Sequence, residues 1–264
     1  MNTVGYLASI LIGVALGLIG GGGSILTVPV LVYLFGIDAF LAAAYSLFIV
    51  GTTSIVGSFS YFKKGLVNLK TAIFFGIPSV AAVFITRAFA LPAIPRKIFS
   101  IRNFTLDKSI LLLLLFALLM IFASYSMIKK DKGDYLHSEK PSANAWRVAI
   151  QGLITGTITG LVGAGGGFLI IPALVNHLRM EIKNAVGTSL LIIAFNSLLG
   201  FAVSAIQINA DWIFLFKILT LTITGVLIGS YLSKNITGSK LKPAFGWFVL
   251  VMGIYIIIKE TILK

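Results

Sequence analysis

Apolar residues run along the chain in eight long stretches, which short polar connections separate. The stretches cover residues 4 to 35, 39 to 62, 71 to 90, 106 to 128, 146 to 178, 184 to 208, 212 to 233 and 243 to 258. A transmembrane helix needs about 20 predominantly apolar residues to cross a hydrocarbon core of about 30 Å. Most of the stretches reach this length, so the pattern predicts an all-α integral membrane protein.

The composition supports this prediction and limits the kinds of site. The chain is 58% hydrophobic and only 11% charged, whereas soluble domains carry about 25% charged residues. It has no cysteine, and its two histidines, His137 and His177, lie in polar connections. We therefore expect no disulfide, no metal and no cofactor. Residues 1 to 5 carry no Lys or Arg, so we expect a retained N-terminus rather than a cleaved signal peptide.

Positive charge is concentrated in the connections. The formal net charge is +13, and Lys and Arg lie in short loops such as Lys63-Lys64, Arg96-Lys97, 129 to 132 and 234 to 242. This distribution is typical of contacts with anionic headgroups and of the charge rule for membrane topology. We expect the lipid bilayer, and no nucleic acid, as the partner of these charges, with the protein in a bacterial-type cytoplasmic membrane.

The chain contains an internal duplication. A shift of 143 positions lays Gly17 to Gly57 over Gly160 to Gly200 without a gap, and fifteen of the aligned pairs are identical, against roughly 3 or 4 expected from composition. The halves cover residues 1 to 128 and 146 to 264, and the polar segment 129 to 145 joins them. Repeats of this kind are common in transporters with a solute site at the repeat interface, although a stable scaffold can use them too.

Each half begins with an apolar stretch that glycines interrupt. The first reads Gly17-Leu-Ile-Gly-Gly-Gly-Gly-Ser-Ile-Leu-Thr-Val-Pro29, and the second reads Gly160-Leu-Val-Gly-Ala-Gly-Gly-Gly-Phe-Leu-Ile-Ile-Pro172. Residues 4 to 35 would form a helix of about 48 Å, which is too long for one span. Glycine runs weaken a helix, and proline cannot donate a backbone hydrogen bond, so we expect two half-helices with an unwound joint in each motif.

The two joints predict an anion site. Freed backbone N–H groups, together with the positive end of the second half-helix near Ser24 or Gly167, attract negative charge. The candidate residues are Gly20, Gly21, Gly22, Gly23, Ser24, Gly163, Gly165, Gly166 and Gly167. Close helix packing through small residues is the alternative interpretation of the same glycines.

The loop charges favour a particular topology. If all eight stretches cross, Lys and Arg divide almost evenly between the two sides, which contradicts the usual cytoplasmic excess. If the first and fifth stretches are re-entrant hairpins, one side collects about twice as many. Each half then crosses three times, and an odd number is what an inverted repeat requires. We therefore expect six full spans, two hairpins and both termini outside.

At these residues the chain resembles the TauE/SafE sulfite exporter family. The resemblance rests on the glycine motifs that end in Pro29 and Pro172 and on Asn184-Ala-Val-Gly-Thr-Ser-Leu-Leu191, and it covers nearly the whole chain. The first half departs from the pattern, with Tyr45 where the second half has Thr188. The resemblance implies export or uptake of sulfite, thiosulfate, organosulfonates or similar anions, coupled to a proton or ion gradient.

Polar residues inside the stretches complete the candidate site. Arg87 offers a planar fork of donors that suits an oxyanion, although a position near the end of its stretch also allows snorkelling to the headgroups. Lys217 is a candidate for snorkelling. The hydroxyl and amide candidates for solute binding, which interhelical hydrogen bonds would equally explain, are Thr52, Thr53, Ser46, Thr188, Ser189 and Asn196. Asp38 and Glu181 follow the motifs symmetrically, as gates or as helix caps.

Two other functions compete with an anion carrier. A cation-coupled carrier is possible because unwound carbonyls bind Na⁺, but such carriers usually keep a mid-membrane acid. The candidate acidic residues lie near the ends of stretches, and they are Asp38, Asp107, Asp211 and Glu181. A non-enzymatic scaffold is the other alternative. The sequence contains no recognisable catalytic set, so we do not expect an enzyme.

Overall fold

Helices make up almost all of the molecule. The structure is a computed structural model, and it describes residues 2 to 95, 97 to 101, 104 to 128, 145 to 232 and 238 to 262. The predicted linker 129 to 145 lies outside these residues except for its last position. The helices are α1 (Asn2–Ile19), α2 (Thr27–Tyr33), α3 (Ala39–Lys63), α4 (Leu69–Ile85), α5 (Leu91–Ala93), α6 (Lys108–Ile128), α7 (Ala145–Val162), α8 (Gly167–Pro172), α9 (Ile182–Ala205), α10 (Trp212–Leu232) and α11 (Gly238–Thr261).

Six helical segments of the described residues are long and apolar enough to cross a membrane. They are Ala39–Lys63, Leu69–Ala93, Lys108–Ile128, Ile182–Ala205, Trp212–Leu232 and Pro243–Thr261. The first and fifth apolar stretches supply none of these six. The structure thus agrees with six spans, whereas re-entry of the two remaining stretches and inversion of the halves stay predictions.

The all-α prediction is confirmed, with one short hairpin as an exception among the described residues. Strands β1 (Lys97–Ile101) and β2 (Phe104–Asp107) pair antiparallel, with Lys97 opposite Asp107 and Ile101 opposite Phe104. The segment follows Pro95 and is rich in β-branched and aromatic residue types, which fit a pleated strand better than a helix. Because the second half has no equivalent insertion, the shift of 143 positions aligns the two halves only as far as α4 and α10.

Both glycine motifs break their helices, as predicted, but in different ways. After α7, Gly163, Gly165 and Gly166 all have positive φ values of 70 to 75°, and the chain is non-helical until α8 begins at Gly167. After α1, only Gly20 has a positive φ, and Gly20–Leu26 winds as a 3₁₀-helix. The first joint is therefore tightened rather than unwound. The Ser24 hydroxyl, which donates to the Gly21 carbonyl oxygen at 2.7 Å, stabilises this tighter turn.

The chain bends sharply at each joint. The backbone of Gly23 lies directly against that of Leu16, and Gly166 lies against Thr159, seven residues earlier in each case. In a straight α-helix, positions seven apart are separated by about 10 Å along the axis. Each motif is therefore a sharp turn between two helical arms, as the hairpin prediction requires.

The halves are interlocked. The main pairings are α1 with α10, α4 with α7, α3 with α9 and α6 with α11. The shift of 143 positions converts the first pairing into the second, because it carries α1 onto α7 and α4 onto α10. Glycines on α1 and α7 make these contacts close: Gly13 lies against the Thr222 carbonyl oxygen and Gly156 against the Ser79 carbonyl oxygen. Small-residue packing thus explains the glycines inside the helices, whereas the left-handed backbone explains those in the second joint.

Replacing Gly166 by alanine should destabilise the protein much more than the same change at Gly65. Both glycines have positive φ, which costs an L-residue about 1 to 2 kcal/mol, but a Cβ at Gly65 meets open space and one at Gly166 meets Thr159. The clash adds about 1 to 3 kcal/mol. We expect Gly65→Ala to lower the melting temperature in detergent by a few degrees and Gly166→Ala by about twice as much or more. Equal decreases would contradict the packed joint.

Candidate functional site

The two joints meet inside the helical bundle. A Cβ on Gly21 would lie 2.7 Å from the Cα of Gly167, so the first joint packs backbone to backbone against the start of α8. The long helices α3 and α9 flank this contact symmetrically. Gly20 lies against Val186 of α9, and Gly163 lies against Ala43 of α3. The same shift relates these two contacts, so the joints occupy equivalent positions in the two halves.

Arg87 reaches the second joint from the turn that follows α4. It lies in the π-helical turn Thr86–Ala90, where the Leu91 N–H bonds back to the Thr86 carbonyl oxygen. Pro92 favours this wider turn, because its ring displaces the carbonyl four residues before it. The Arg87 side chain is 1% exposed, and its Nη2 lies 2.6 Å from the position of a Cβ on Gly163. Snorkelling therefore does not describe Arg87, which points inward at the joint.

The Arg87 guanidinium has unused hydrogen-bonding capacity. Its Nη1 donates to the Ser204 hydroxyl at 3.1 Å, and Ser204 donates in turn to the Gly200 carbonyl oxygen at 2.8 Å. Its Nε and Nη2 have no partner among the described residues, and no described carboxylate pairs with it. A charge that is buried in this way costs several kcal/mol unless another group compensates it.

Two hydroxyl groups beside the joint are also buried without a hydrogen-bond partner among the described residues. The Ser197 Oγ lies 3.0 Å from a Cβ position on Gly165, and the Thr159 side chain lies against Gly166. Both side chains are 1% exposed or less, and neither hydroxyl oxygen has a partner among the described residues. Buried polar atoms of proteins are almost always satisfied by protein, water or a ligand. The second joint thus gathers four such atoms around one left-handed loop.

Of the other predicted polar binding residues, some bond within their own helix or turn, and others keep an oxygen without a partner among the described residues. Several hydroxyls are used inside their own helix or turn: Thr52 donates to the Phe48 carbonyl oxygen, Thr53 to Ile49, Ser189 to Val186 and Ser24 to Gly21. Ser46 is fully buried and its Oγ has no partner among the described residues. Asn196 donates through Nδ2 to the Ser79 hydroxyl at 2.7 Å, and its Oδ1 has no partner there.

Tyr45 and Thr188 perform the same task in the two halves. The Tyr45 hydroxyl accepts a hydrogen bond from the Asp211 N–H at 2.7 Å, and the Thr188 hydroxyl accepts one from the Asn68 N–H at 2.9 Å. Asn68 and Asp211 lie 143 positions apart and stand at the starts of α4 and α10. Each hydroxyl thus anchors the first turn of a helix from the opposite half. This contact gives Thr188 a structural role.

The two acidic gate candidates lie at helix starts. Asp38 caps α3, because its Oδ1 accepts from the Phe40 N–H at 2.9 Å, and its Oδ2 accepts from the Ser109 hydroxyl at 2.6 Å. Glu181 precedes α9 without a capping side-chain bond. Both are exposed. Capping describes Asp38 well, and a gating role for either residue stays a prediction. Lys217 is also exposed, as snorkelling requires.

Sequence reasoning missed several polar residues of the interior, and Thr159, Ser204 and Glu260 are three of them. Ser204 bonds to Arg87 and Thr159 lies against Gly166, and the repeat could have flagged both because they replace Tyr61 and Leu16 of the first half. Glu260 lies just beyond the last predicted stretch, yet it is 3% exposed and accepts from the Tyr33 hydroxyl at 3.1 Å. Its burial depends on α2, which no local pattern around residue 260 reveals.

Comparisons with known proteins give one family model and several related membrane transporters. The family model described as sulfite exporter TauE/SafE matches residues 6 to 256. The chain is 30% identical to a probable membrane transporter protein of Xylella fastidiosa, over 94% of this chain and 91% of that protein. It is 25% identical to the probable membrane transporter protein YdhB of Bacillus subtilis, over 90% and 93%. A probable membrane transporter protein of Haemophilus influenzae is also 25% identical, over 96% and 97%. No solved structure matches the chain.

Tyr45→Phe and Thr188→Val should reduce stability and leave solute binding unchanged. Each change leaves the N–H of Asp211 or Asn68 without its acceptor, which costs about 1 to 2 kcal/mol and lowers the melting temperature by a few degrees. Thr52→Val is the matched control, because its hydroxyl bonds only within its own helix. Titration of sulfite against the purified variants in detergent measures binding. A loss of affinity in Thr188→Val without loss of stability would instead make Thr188 a ligand.

Proposed function

Because the chain belongs to the sulfite exporter TauE/SafE family of membrane transporters, we propose that it is a secondary carrier of a small sulfur-containing oxyanion. Sulfite, thiosulfate and organosulfonates are the expected solutes. The observation that carries the proposal is Arg87, a fully buried cation beside the second glycine joint with two donors unused and no carboxylate partner among the described residues.

The geometry of the free donors suits an oxyanion. Nε and Nη2 lie along one edge of the guanidinium plane, so they can donate in parallel to two oxygens of one sulfur centre. The remaining nitrogen, Nη1, is held by Ser204. This bond fixes the plane of the guanidinium and leaves the free edge toward the joint. A bound anion would supply the charge that Arg87 otherwise lacks.

The joint supplies further donors. The hydroxyls of Ser197 and Thr159 lie against Gly165 and Gly166, and the first N–H groups of α8 have no acceptor within their own helix. Because glycine has no Cβ, other groups can approach its backbone N–H closely. Gly21 of the first joint packs against Gly167 and closes the site on that side. In this proposal the glycines of the first joint form a wall, and those of the second joint bind.

The interlocked halves suit alternating access. Each broken segment packs on the third segment of the other half, α1 on α10 and α7 on α4. In an inverted repeat, the two units formed in this way can rock about the flanking helices α3 and α9, so that the central site opens first to one side and then to the other. Inversion of the halves, two re-entrant hairpins and both termini outside are parts of this proposal.

Arg87→Met should weaken anion binding without weakening the fold. A charge-assisted hydrogen bond contributes about 1.5 to 3 kcal/mol, so we expect the dissociation constant of thiosulfate or sulfite to rise by about tenfold to a hundredfold. Arg87→Lys should give a smaller rise, because it keeps the charge and loses the fork. Without anion, Arg87→Met should melt at the same or a higher temperature, because it removes an uncompensated buried charge.

The matched control is Lys217→Met, which removes an exposed cation from a span of the second half. It should leave both the affinity and the flux into proteoliposomes unchanged. Sulfate, taurine and acetate, tested in parallel, define the solute class. Absence of flux for every anion from a well-folded wild-type protein would favour a scaffold, and an unchanged affinity in Arg87→Met would remove Arg87 from the site.

A further inference from the structure

A small cavity that is lined in part by hydroxyl groups lies at the end of α1, just before the first joint. The cavity has a volume of about 10 Å³ and lies between α1, α3, α9 and α10, so it has room for about one particle of the size of a water molecule. The hydroxyl-bearing residues Thr53, Ser54, Tyr61 and Ser230 contribute to its lining, and none of its lining residues is charged. The remaining walls are glycine or aliphatic.

This cavity is the counterpart of the Arg87 site. The shift of 143 positions takes Gly17 to Gly160, Ser54 to Ser197, Tyr61 to Ser204 and Arg87 to Ser230. In the second half, the guanidinium lies beside Gly163 and bonds to Ser204. At the end of α1, the Ser230 side chain of α10 is too short to reach the equivalent place, and the cavity lies there instead. The end of α7 therefore has a fixed positive charge beside it, whereas the end of α1 has an uncharged space.

The surroundings of the cavity favour positive charge. Leu16 and Gly17 line it from the last turn of α1, and the C-terminal end of a helix carries partial negative charge. The Thr53 hydroxyl gives its proton to the Ile49 carbonyl oxygen at 2.6 Å, so its lone pairs are left to accept. The Ser54 Oγ is 1% exposed and has no partner among the described residues. Neutral oxygens at a helix C-terminus are the ligands that transporters use for monovalent cations.

We propose that this cavity binds one dehydrated Na⁺ ion, in the place that the Arg87 guanidinium occupies in the other half. Divalent cations prefer sites with carboxylate ligands, and this cavity has none. The ion compensates the same helix end in the first half that Arg87 compensates in the second. The site goes beyond the anion carrier proposed above and supplies it with a coupling ion. Binding of Na⁺ does not require the anion.

Thermal unfolding of the purified protein in detergent tests the site in the absence of any sulfur oxyanion. NaCl should raise the melting temperature saturably, whereas KCl and choline chloride at equal ionic strength should not. Ser54→Ala should raise the apparent dissociation constant of Na⁺ at least tenfold. Ser58→Ala is the matched control: Ser58 lies one turn further along α3, is 7% exposed, and donates to the Ile55 carbonyl oxygen. It should keep the response of the wild type.

A second variant tests the equivalence with Arg87. Ser230→Arg places a guanidinium at the cavity and should abolish the response to Na⁺. Equal melting temperatures in NaCl and choline chloride for the wild type would overturn the proposal, and so would equal responses of Ser54→Ala and Ser58→Ala. Because no sulfur oxyanion is present and chloride is the same in every salt, these outcomes are independent of the Arg87→Met titration. An anion carrier without a response to Na⁺ would therefore be recognised as such.

Discussion

The backbone contact between Gly21 and Gly167 is the constraint on which the remaining architecture depends. Two sharp turns of the chain can approach this closely only where neither carries a side chain. A hydrocarbon core offers no water to peptide groups that leave a helix, so protein must enclose such groups. Helices α3 and α9 provide that enclosure, and the third segment of the opposite half supports each broken arm. Arg87, Thr159 and Ser197 lie against the second joint, where irregular backbone needs partners.

The two halves keep equivalent helix contacts but differ in charge at one shared position. The anchoring hydroxyls Tyr45 and Thr188 differ in size, yet each holds the first turn of an equivalent helix. At the position shared by Arg87 and Ser230 the halves diverge, and the same helix end faces a guanidinium in one half and an uncharged cavity in the other. A symmetric scaffold can in this way carry sites of different charge at its two joints, with no change in the helices that hold them.

Much of the fold follows from local sequence, whereas the details of the site depend on contacts between the halves. The breaks at residues 20 to 26 and 163 to 166 were predictable because length, glycine runs and proline act locally. The inward orientation of Arg87 was not predictable, because it depends on the π-helical turn Thr86–Ala90, which holds one residue more than an α-helical turn. The hairpin Lys97–Asp107 was too short to predict from periodicity. The equivalence of Tyr45 and Thr188 was obscured because only tertiary packing brings a distant N–H to each hydroxyl.

The interlocked pairing of α1 with α10 affects how the chain can be assembled during synthesis. The partner of α1 is made about two hundred residues later. Until then the glycine face of α1 has only lipid or transient neighbours, whereas α7 finds α4 already in the membrane. The first arm therefore docks late, by a long-range closure of the kind that slows folding. Release of the ribosome before α10 emerges would leave that arm as a target for quality-control proteases.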